Sequence, residues 1–271
     1  MRILFIGDIV GRSGRDAFVQ QLPELKEKLK PDVIIVNGDN AAHGFGISTK
    51  ICEEFYELGV DCITGGNHIW DQREIIPFIT REERLLRTEN YPKGVPGKGH
   101  YLKTLADGRK ILILHLMGCL FMEDLESPFR VADEILSRYT LGSNVNAIFV
   151  DIHAEATSEK MALAQYLNGR VSAVVGTHTH MPTADLQILS KGTGYQTDAG
   201  MTGDYDTVIG MKFDVPVQRF TKKFSTERLS PGDQEGTLCG TFVITDDKSG
   251  QTKFIEPVRM GPRLMNHIPV G

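Results

Sequence analysis

The sequence has few cysteines and no long apolar run. Its four cysteines, Cys52, Cys62, Cys119 and Cys239, include no pair at the C-x-x-C spacing of metal knuckles and redox motifs. We therefore expect reduced, mostly buried thiols, as in cytoplasmic proteins. No stretch approaches the roughly 18 apolar residues of a membrane span. The first apolar run ends at Gly7, too early for a secretory signal. These absences predict a cytoplasmic protein without membrane association.

An excess of basic residues is also absent. Lysine and arginine number 30 against 35 acidic residues, and the formal net charge is −5 at pH 7. This balance argues against an extended nucleic-acid-binding surface. A small anionic substrate would then need a local positive centre, which a metal ion can supply. The chain has 271 residues, 41% of them hydrophobic, and we interpret residues 1–271 as a single α/β domain.

Hydrophobic patterning predicts strands that alternate with helices. Buried strands are indicated by RILFIG, DVIIVNG, VDCITGGN, KILILHL, NAIFVDI and VSAVVG. Helices are indicated by residues 14–30, STKICEEFYELG with Ser48 as N-cap, a segment near VADEILSRY, and SEKMALAQYLNG. Pro23 lies inside the first predicted helix, and proline can kink or split a helix. This alternation predicts parallel pairing. Beyond Gly200 the helical signal fades, and a β-hairpin is predicted around the turn DKSG.

Polar residues follow or end five of the predicted strands. Because the carboxyl ends of parallel strands lie at one edge of an open sheet, we expect these side chains to converge. Carboxylate and imidazole ligands together suit zinc, iron or manganese, so the pattern predicts a metal site. The residues are, in chain order, Asp8, Asp39, Asn40, Asn67, His68, His153, His178 and His180.

Three features of this pattern suit a pair of divalent ions. His178 and His180 would project to the same side of an extended segment, so both could face one cluster. Asp39 could bridge two ions roughly 3.5–4 Å apart. Asn67 would add an oxygen ligand without charge, which leaves the site net positive and attractive to phosphate.

The glycines of the segment GDIVGRSG suggest a different site. Gly7, Gly11 and Gly14 imitate a dinucleotide-binding loop, but no clean acidic partner ends the second strand, and the histidines would have no role. We interpret these glycines as carrying Asp8 into the metal cluster.

Other polar residues have no assigned role in this pattern. His115 lies inside an apolar strand and is predicted to be a hydrogen-bonded core residue. His43, in the glycine-flanked segment AAHGFG, could border the site. Asp204, Tyr205 and Asp206 could shape a pocket or a subunit contact, or form a turn without a catalytic role.

The motifs GD, GDN, GGNHIWD and GTHTH, with a separate histidine, resemble those of the calcineurin-like metallophosphoesterases over about residues 1–180. The segments GDIVG, NAAHG, GNHIWD, HAEATSEK and AGMTGDYDTVIGM are similar to a small bacterial branch, the 2′,3′-cyclic-nucleotide phosphodiesterases, up to about residue 211. The resemblance implies a four-layer α/β/β/α sandwich whose β-rich C-terminal part completes the second sheet. It also implies a metal-dependent phosphoester hydrolase.

The resemblance further implies a role for each site residue. His68 would contact the substrate phosphate or protonate the leaving oxygen, and a metal-bridging hydroxide would be the nucleophile. The two ions would be divalent or mixed-valence, with iron or manganese expected and zinc as the alternative. One ion would be held by Asp8, Asp39, Asn40 and His180, and the other by Asp39, Asn67, His153 and His178.

Two residues depart from the related patterns. Val10 stands where the superfamily's first motif usually has histidine, and Asn40 is expected to fill that coordination role. Asp39 stands where the bacterial branch commonly has glutamate. Aspartate is one methylene shorter, but the wider superfamily uses it in this motif, so we expect a working bridge.

The expected reaction is hydrolysis of a phosphodiester in a cyclic nucleotide, with 2′,3′-cyclic nucleotides favoured by the resemblance. One alternative is a broad-specificity phosphomonoesterase that uses the same site. Another is a non-enzymatic regulator that binds metal or nucleotide. The expected partner is a small phosphoester or nucleotide substrate, and the sequence leaves a homo-oligomer open.

Overall fold

The structure is a computed structural model that describes residues 1–270. Its strands form two six-stranded sheets. The first sheet contains, in spatial order, β12 (Thr252–Met260), β11 (Leu238–Thr245), β1 (Arg2–Ile6), β2 (Val33–Asn37), β3 (Cys62–Thr64) and β4 (Leu85–Leu86). The second contains β5 (His100–Thr104), β6 (Lys110–Met117), β7 (Ala147–His153), β8 (Ala173–Thr177), β10 (Gly194–Gln196) and β9 (Gln187–Ile188). The helices are α1 (Gly11–Leu29), α2 (Thr49–Glu57), α3 (Ile75–Ile79), α4 (Pro128–Leu136), α5 (Thr157–Leu167) and α6 (Asp214–Lys222).

Three buried clusters show how the layers stack. Successive residues of a strand point to opposite faces of the sheet, so Leu4 packs with Phe18 of α1 while Ile3 and Phe5 face the other sheet. Phe5 meets Phe149 of β7 there, with ring centroids 5.1 Å apart. The outer face of the second sheet packs against α4 and α5. The predicted α/β/β/α sandwich is confirmed.

Parallel pairing aligns the strand ends that carry the candidate site. Strands β1 to β4 pair in parallel in the first sheet, and β6, β7, β8 and β10 pair in parallel in the second. The site-bearing strands are therefore divided between two sheets and do not share one open sheet. The packing of the sheets, and not a single row of hydrogen bonds, brings the two sets of ends together.

The C-terminal hairpin is present, but it lies in the first sheet. Strand β11 pairs antiparallel with both β1 and β12. The prediction that this part completes the second sheet is wrong. Phe242 of β11 packs under the helices that cover the first sheet, and Val243 faces the second sheet. The hairpin thereby covers the edge of β1 that β2 leaves open.

The helices near the N-terminus largely follow the prediction. Helix α1 continues through Pro23, and its buried residues Leu22 and Leu25 hold it on the sheet on both sides of the proline. Packing therefore outweighs the backbone hydrogen bond that proline removes. Ser48 caps α2 as predicted, because its side chain accepts a hydrogen bond from the backbone N of Ile51 at 3.3 Å.

Helix α6 lies where no helix was expected. It buries Val215 and Pro216, whereas Val217 and Phe220 are exposed, so its apolar residues do not follow one core-facing stripe. No helix within residues 1–270 is long and apolar enough to cross a membrane.

Candidate metal centre

The predicted ligands lie at the adjoining carboxyl ends of strands from both sheets. Asp8, Asp39 and His153 form the buried centre, and each offers a ligand atom within 4.8 Å of the other two. Asn40 and His180 are also buried. Asn67 and His178 are half-buried and form the more open side of the centre.

His153 joins one group of predicted ligands. Its Nε2 lies 2.8 Å from Oδ1 of Asn67, 3.2 Å from Nδ1 of His178 and 3.4 Å from Oδ2 of Asp39. These four residues are the set predicted for one ion. Their ligand atoms point at one another over distances that a shared cation would bridge.

Asn40 and His180 contact each other, and with Asp8 and Asp39 they are the set predicted for the other ion. Nε2 of His180 lies 3.1 Å from Oδ1 of Asn40. Val10 is buried and forms an isolated backbone bridge with Asn40. The amide of Asn40 therefore lies beside the position where the superfamily's first motif usually has a histidine.

Each of the three histidines has one ring nitrogen directed at the centre and the other held by a hydrogen-bond acceptor. This arrangement is typical of metal-binding histidines, because the outer partner fixes the tautomer and the ring orientation. The partners are Thr177 Oγ1 for His153 Nδ1 (2.9 Å), Glu155 Oε2 for His178 Nε2 (3.3 Å) and the carbonyl of Ile209 for His180 Nδ1 (2.8 Å).

The ring nitrogens directed at the centre therefore carry lone pairs, and these lone pairs face other acceptor atoms. Nε2 of His153 faces Nδ1 of His178, and Nε2 of His180 faces the amide oxygen of Asn40. The orientation of that amide follows from its Nδ2, which donates to the carbonyl of Gly44 at 3.1 Å. Facing acceptors repel each other unless a cation lies between them, so the donor set fits metal ions.

The pKa values of the buried carboxylates also bear on cation binding. Burial raises the pKa of Asp8 well above its usual value, and the carboxylates of Asp198, Asp39 and Asp151 raise it further. A bound cation would offset this accumulation of negative charge. Burial acts to raise the pKa of Asp39 as well, but the charge attraction and hydrogen bonds of His153 and His68 together outweigh burial, so the pKa of Asp39 is lowered.

The two histidines after β8 are neutral at neutral pH. Burial, reinforced by His153, lowers the pKa of His178 to about 3. Burial also lowers the pKa of His180, although the carbonyl of Ile209 and the nearby carboxylates oppose it. A neutral imidazole offers the lone pair that a metal ion requires.

The backbone at His178 and His180 is not extended. Their φ angles are 92° and 68°, so the prediction that an extended segment directs both side chains is wrong. Such angles are uncommon for non-glycine residues and need support from the surroundings. Asp198 supplies part of it, because its Oδ2 accepts hydrogen bonds from the backbone N of Thr179 at 3.1 Å and from Lys160 at 3.0 Å.

Two glycines allow the site loops to approach closely. A Cβ on Gly66, which has a φ of 50°, would lie 2.4 Å from Oδ1 of Asp39 and 2.7 Å from the ring of His153. A Cβ on Gly7 would lie 1.9 Å from the carbonyl oxygen of Gly200. Gly7 therefore serves backbone packing beside Asp8, which does not support the dinucleotide interpretation.

His68 lies beside the ligands. Its backbone N donates to Oδ1 of Asp39 at 2.7 Å, and its ring Nδ1 lies 2.7 Å from Oδ2 of Asp71. The ring also packs edge-on against Phe45. Its side chain is 27% exposed, so the ring is accessible to a substrate.

Sequence reasoning missed the residues that hold the ligands in place. Glu155 and Asp71 stood in the motifs HAEATSEK and GNHIWD, and their spacing from His153 and His68 was a usable signal. Thr177 ends a buried strand, and nothing in the sequence distinguishes it from an ordinary strand residue.

The other polar residues of interest lie outside the ligand set. His115 is buried and hydrogen-bonded as predicted, and its Nε2 accepts from the backbone N of Gly66 at 3.0 Å. Asp204 organises a turn, since its Oδ1 accepts from the backbone N of Asp206 at 2.9 Å. The side chain of His43 is exposed.

Comparisons with known proteins cover nearly the whole chain. The model of a family described as YmdB-like protein matches residues 4–258. The 2′,3′-cyclic-nucleotide 2′-phosphodiesterase of Bacillus subtilis (strain 168) is 46% identical over 259 residues, 95% of this chain and 96% of that protein. The crystal structure of a hypothetical protein from Thermus thermophilus superposes with a TM-score of 0.90 at 38% identity and covers 97% of this chain and 100% of its own. A novel phosphatase from Mycoplasma pneumoniae gives 0.89 at 32% identity, with coverage of 96% and 93%.

Proposed function

The chain belongs to the YmdB-like protein family, and from this membership we propose that it uses two metal ions to hydrolyse the 2′ ester bond of 2′,3′-cyclic nucleotides. The predicted resemblance to this bacterial branch is confirmed, and so is the prediction of a phosphodiesterase enzyme. The cyclic-nucleotide substrate is proposed from the name of the Bacillus subtilis relative.

The observation that carries the metal-dependent part of the proposal is the set of facing lone pairs. Three histidines have their outer nitrogens within 3.3 Å of an oxygen acceptor, and their inner nitrogens face one another or an amide oxygen. Two buried carboxylates, Asp8 and Asp39, lie among them. Metal cations placed among these atoms would satisfy all of the acceptors at once.

We propose two overlapping ligand sets that share Asp39. When bound, two ions would supply the positive charge that attracts the phosphate oxygens and lowers the pKa of the attacking water. Mixed imidazole and carboxylate ligands favour iron or manganese, with zinc as the alternative. We assign Asp8, Asp39, Asn40 and His180 to one ion, and Asp39, Asn67, His153 and His178 to the other.

His68 is the proposed general acid. Asp71 accepts the hydrogen on Nδ1 of His68, so Nε2 is the atom that can donate a proton to the substrate. As a water oxygen bonds to phosphorus, the bond between phosphorus and the 2′ oxygen breaks. The 2′ oxygen takes the proton of His68, and a proton released by the attacking water restores the acid form of His68, so the products are a free 2′ hydroxyl and a 3′ phosphate.

A phosphomonoesterase is the second candidate, because the relative from Mycoplasma pneumoniae is described as a phosphatase. Turnover of 2′,3′-cyclic AMP and of adenosine 3′-monophosphate by the Mn²⁺-loaded protein separates the two. Our proposal predicts rapid hydrolysis of the cyclic diester and little release of inorganic phosphate from the monoester. Rapid release of phosphate would favour the phosphomonoesterase, and nucleotide binding without any hydrolysis would favour a regulator. The cytoplasmic location, the single-domain organisation and any homo-oligomer stay predictions.

A further inference from the structure

We infer that Asp151, a fully buried carboxylate on β7, is a positioning residue that orients the ligands of the metal centre from beneath. This inference rests on the proposed function, because it concerns how the chain holds its ions. Asp151 precedes His153 by two residues, so both side chains point from the same face of the strand into the space between the sheets.

The carboxylate of Asp151 collects hydrogen-bond donors from both sheets. Its Oδ1 accepts from the hydroxyl of Thr177 at 2.8 Å. Its Oδ2 accepts from the hydroxyl of Thr64 at 2.6 Å and from Nδ2 of Asn37 at 3.1 Å, and it lies 3.2 Å from Nδ1 of His115. All five residues are fully buried. One carboxylate therefore links strands β2, β3, β6 and β8 across the interior.

Three of these donors also contact a predicted ligand or its loop: Asn37 and His115 through their other polar atom, and Thr177 through the same hydroxyl oxygen. Each of these side chains forms a relay, a link from Asp151 to the centre that is one side chain long. Together the relays reach two of the four residues assigned to one ion and the residue that precedes a third. The second contacts are Asn37 Oδ1 with the backbone N of Asp39 (3.0 Å), Thr177 Oγ1 with Nδ1 of His153 (2.9 Å), and His115 Nε2 with the backbone N of Gly66, which precedes Asn67 (3.0 Å).

The negative charge of Asp151 sets the direction of every relay. Because an ionised carboxylate only accepts hydrogen bonds, Thr177 must donate to it and use its oxygen to accept from Nδ1 of His153. Nε2 of His153 is then left as a lone pair that faces the centre. In the same way the amide of Asn37 turns its NH₂ group to Asp151 and its oxygen to Asp39. A buried carboxylate without such a role would be costly to retain, since apolar residues could pack the sheets instead.

The variant Asp151→Asn tests this inference because it keeps the shape of the side chain but places a donor where only acceptors stood. We would titrate metal-free protein with Mn²⁺ and measure the midpoint of thermal unfolding at each concentration, which gives the Kd for Mn²⁺. Loss of an outer hydrogen-bond partner weakens metal affinity by about 10- to 100-fold. We expect the Kd of Asp151→Asn to rise by that factor.

Ser172→Ala is the matched control. Ser172 is buried, and its Oγ accepts from the backbone N of Ile148 at 3.0 Å near the other end of β7. This variant should lower the unfolding midpoint of the metal-free protein and leave the Kd for Mn²⁺ unchanged. If Asp151 only stabilised the fold, Asp151→Asn would behave in the same way, and the inference would be overturned.

A second pair of variants covers the case in which Asp151→Asn does not fold. Thr177→Val keeps the volume but breaks the relay to His153, and it should also raise the Kd, whereas Thr177→Ser should restore most of the affinity. These measurements also distinguish failure of the proposed function from failure of the positioning role. If the wild-type protein shows no Mn²⁺-dependent stabilisation, the metal centre itself is refuted. If the wild type is stabilised and Thr177→Val binds Mn²⁺ equally well, only the positioning role is refuted.

Discussion

Replacement of His68 by alanine separates proton donation from metal binding. The backbone N of His68 donates to Oδ1 of Asp39, and this contact does not depend on the side chain. The ring itself contacts Asp71 and Phe45, neither of which is an assigned ligand. His68→Ala should therefore keep both metal ions and lose most of its turnover.

The size of the loss depends on the leaving group. General acid catalysis contributes about 10²- to 10⁴-fold, or about 3–5 kcal/mol of barrier, when a poor leaving group must be protonated. The 2′ oxygen of ribose is such a group. A p-nitrophenolate anion leaves without a proton, so with bis(p-nitrophenyl) phosphate the loss should be at most about tenfold.

The assay compares kcat for 2′,3′-cyclic AMP and for bis(p-nitrophenyl) phosphate, with metal content measured on the same samples. Asp71→Asn is the control, because it keeps the imidazole and weakens one charge-assisted hydrogen bond by about 1 kcal/mol, which predicts a roughly fivefold loss with the cyclic nucleotide. Equal losses of His68→Ala on both substrates would refute the general-acid role. Loss of metal from His68→Ala would instead place His68 among the ligands.

Three further outcomes follow from the geometry. Asn67→Ala and His178→Ala should each bind less metal than the wild type by elemental analysis, and full occupancy in either would remove that residue from the ligand set. Gly66→Ala places a Cβ 2.4 Å from Oδ1 of Asp39 and should reduce the Mn²⁺-dependent rise in unfolding temperature, which an unaltered rise would contradict. Because the pKa of Asp8 is raised by burial, its carboxyl holds a proton at acidic pH that a metal ion must displace. Calorimetric titration with Mn²⁺ should show affinity increasing with pH, and pH-independent binding would argue against Asp8 as a ligand.

The positions of the candidate ligands could be predicted from the sequence because each follows or ends a short buried strand. Asp8 comes directly after the apolar run that forms β1, and His153 ends β7. The fold by itself gives little reason for polar residues to occur at the ends of so many strands. The polar strand ends therefore predict the site residues without information on which strands pair.

The pairing of the strands could not be predicted in the same way. Alternating strands and helices indicate parallel neighbours but do not say which strands share a sheet. The hairpin of β11 and β12 pairs with β1, more than 230 residues earlier in the chain, as the register of Arg2 with Ile244 shows. Short strands such as β4, with only Leu85 and Leu86, have too few residues to show a period.

The hydrogen bonds around Asp151 could not be predicted from the sequence for a related reason. Asp151 and His115 each lie inside a mostly apolar strand, where a polar residue predicts only a hydrogen-bonded core position. Their partners are distant in sequence, and Asn37 is 114 residues from Asp151. Only the packing of two sheets against each other brings these groups within hydrogen-bond distance.

The central claim is that Asp8, Asp39 and their neighbours hold two metal ions. Crystals grown with Mn²⁺ and measured near its absorption edge test it most directly through the anomalous difference map. Two bound ions should give two peaks, one on each side of the Asp39 carboxylate and roughly 3.5–4 Å apart. A map with no peak among these residues, or with a single peak that does not contact Asp39, would contradict it.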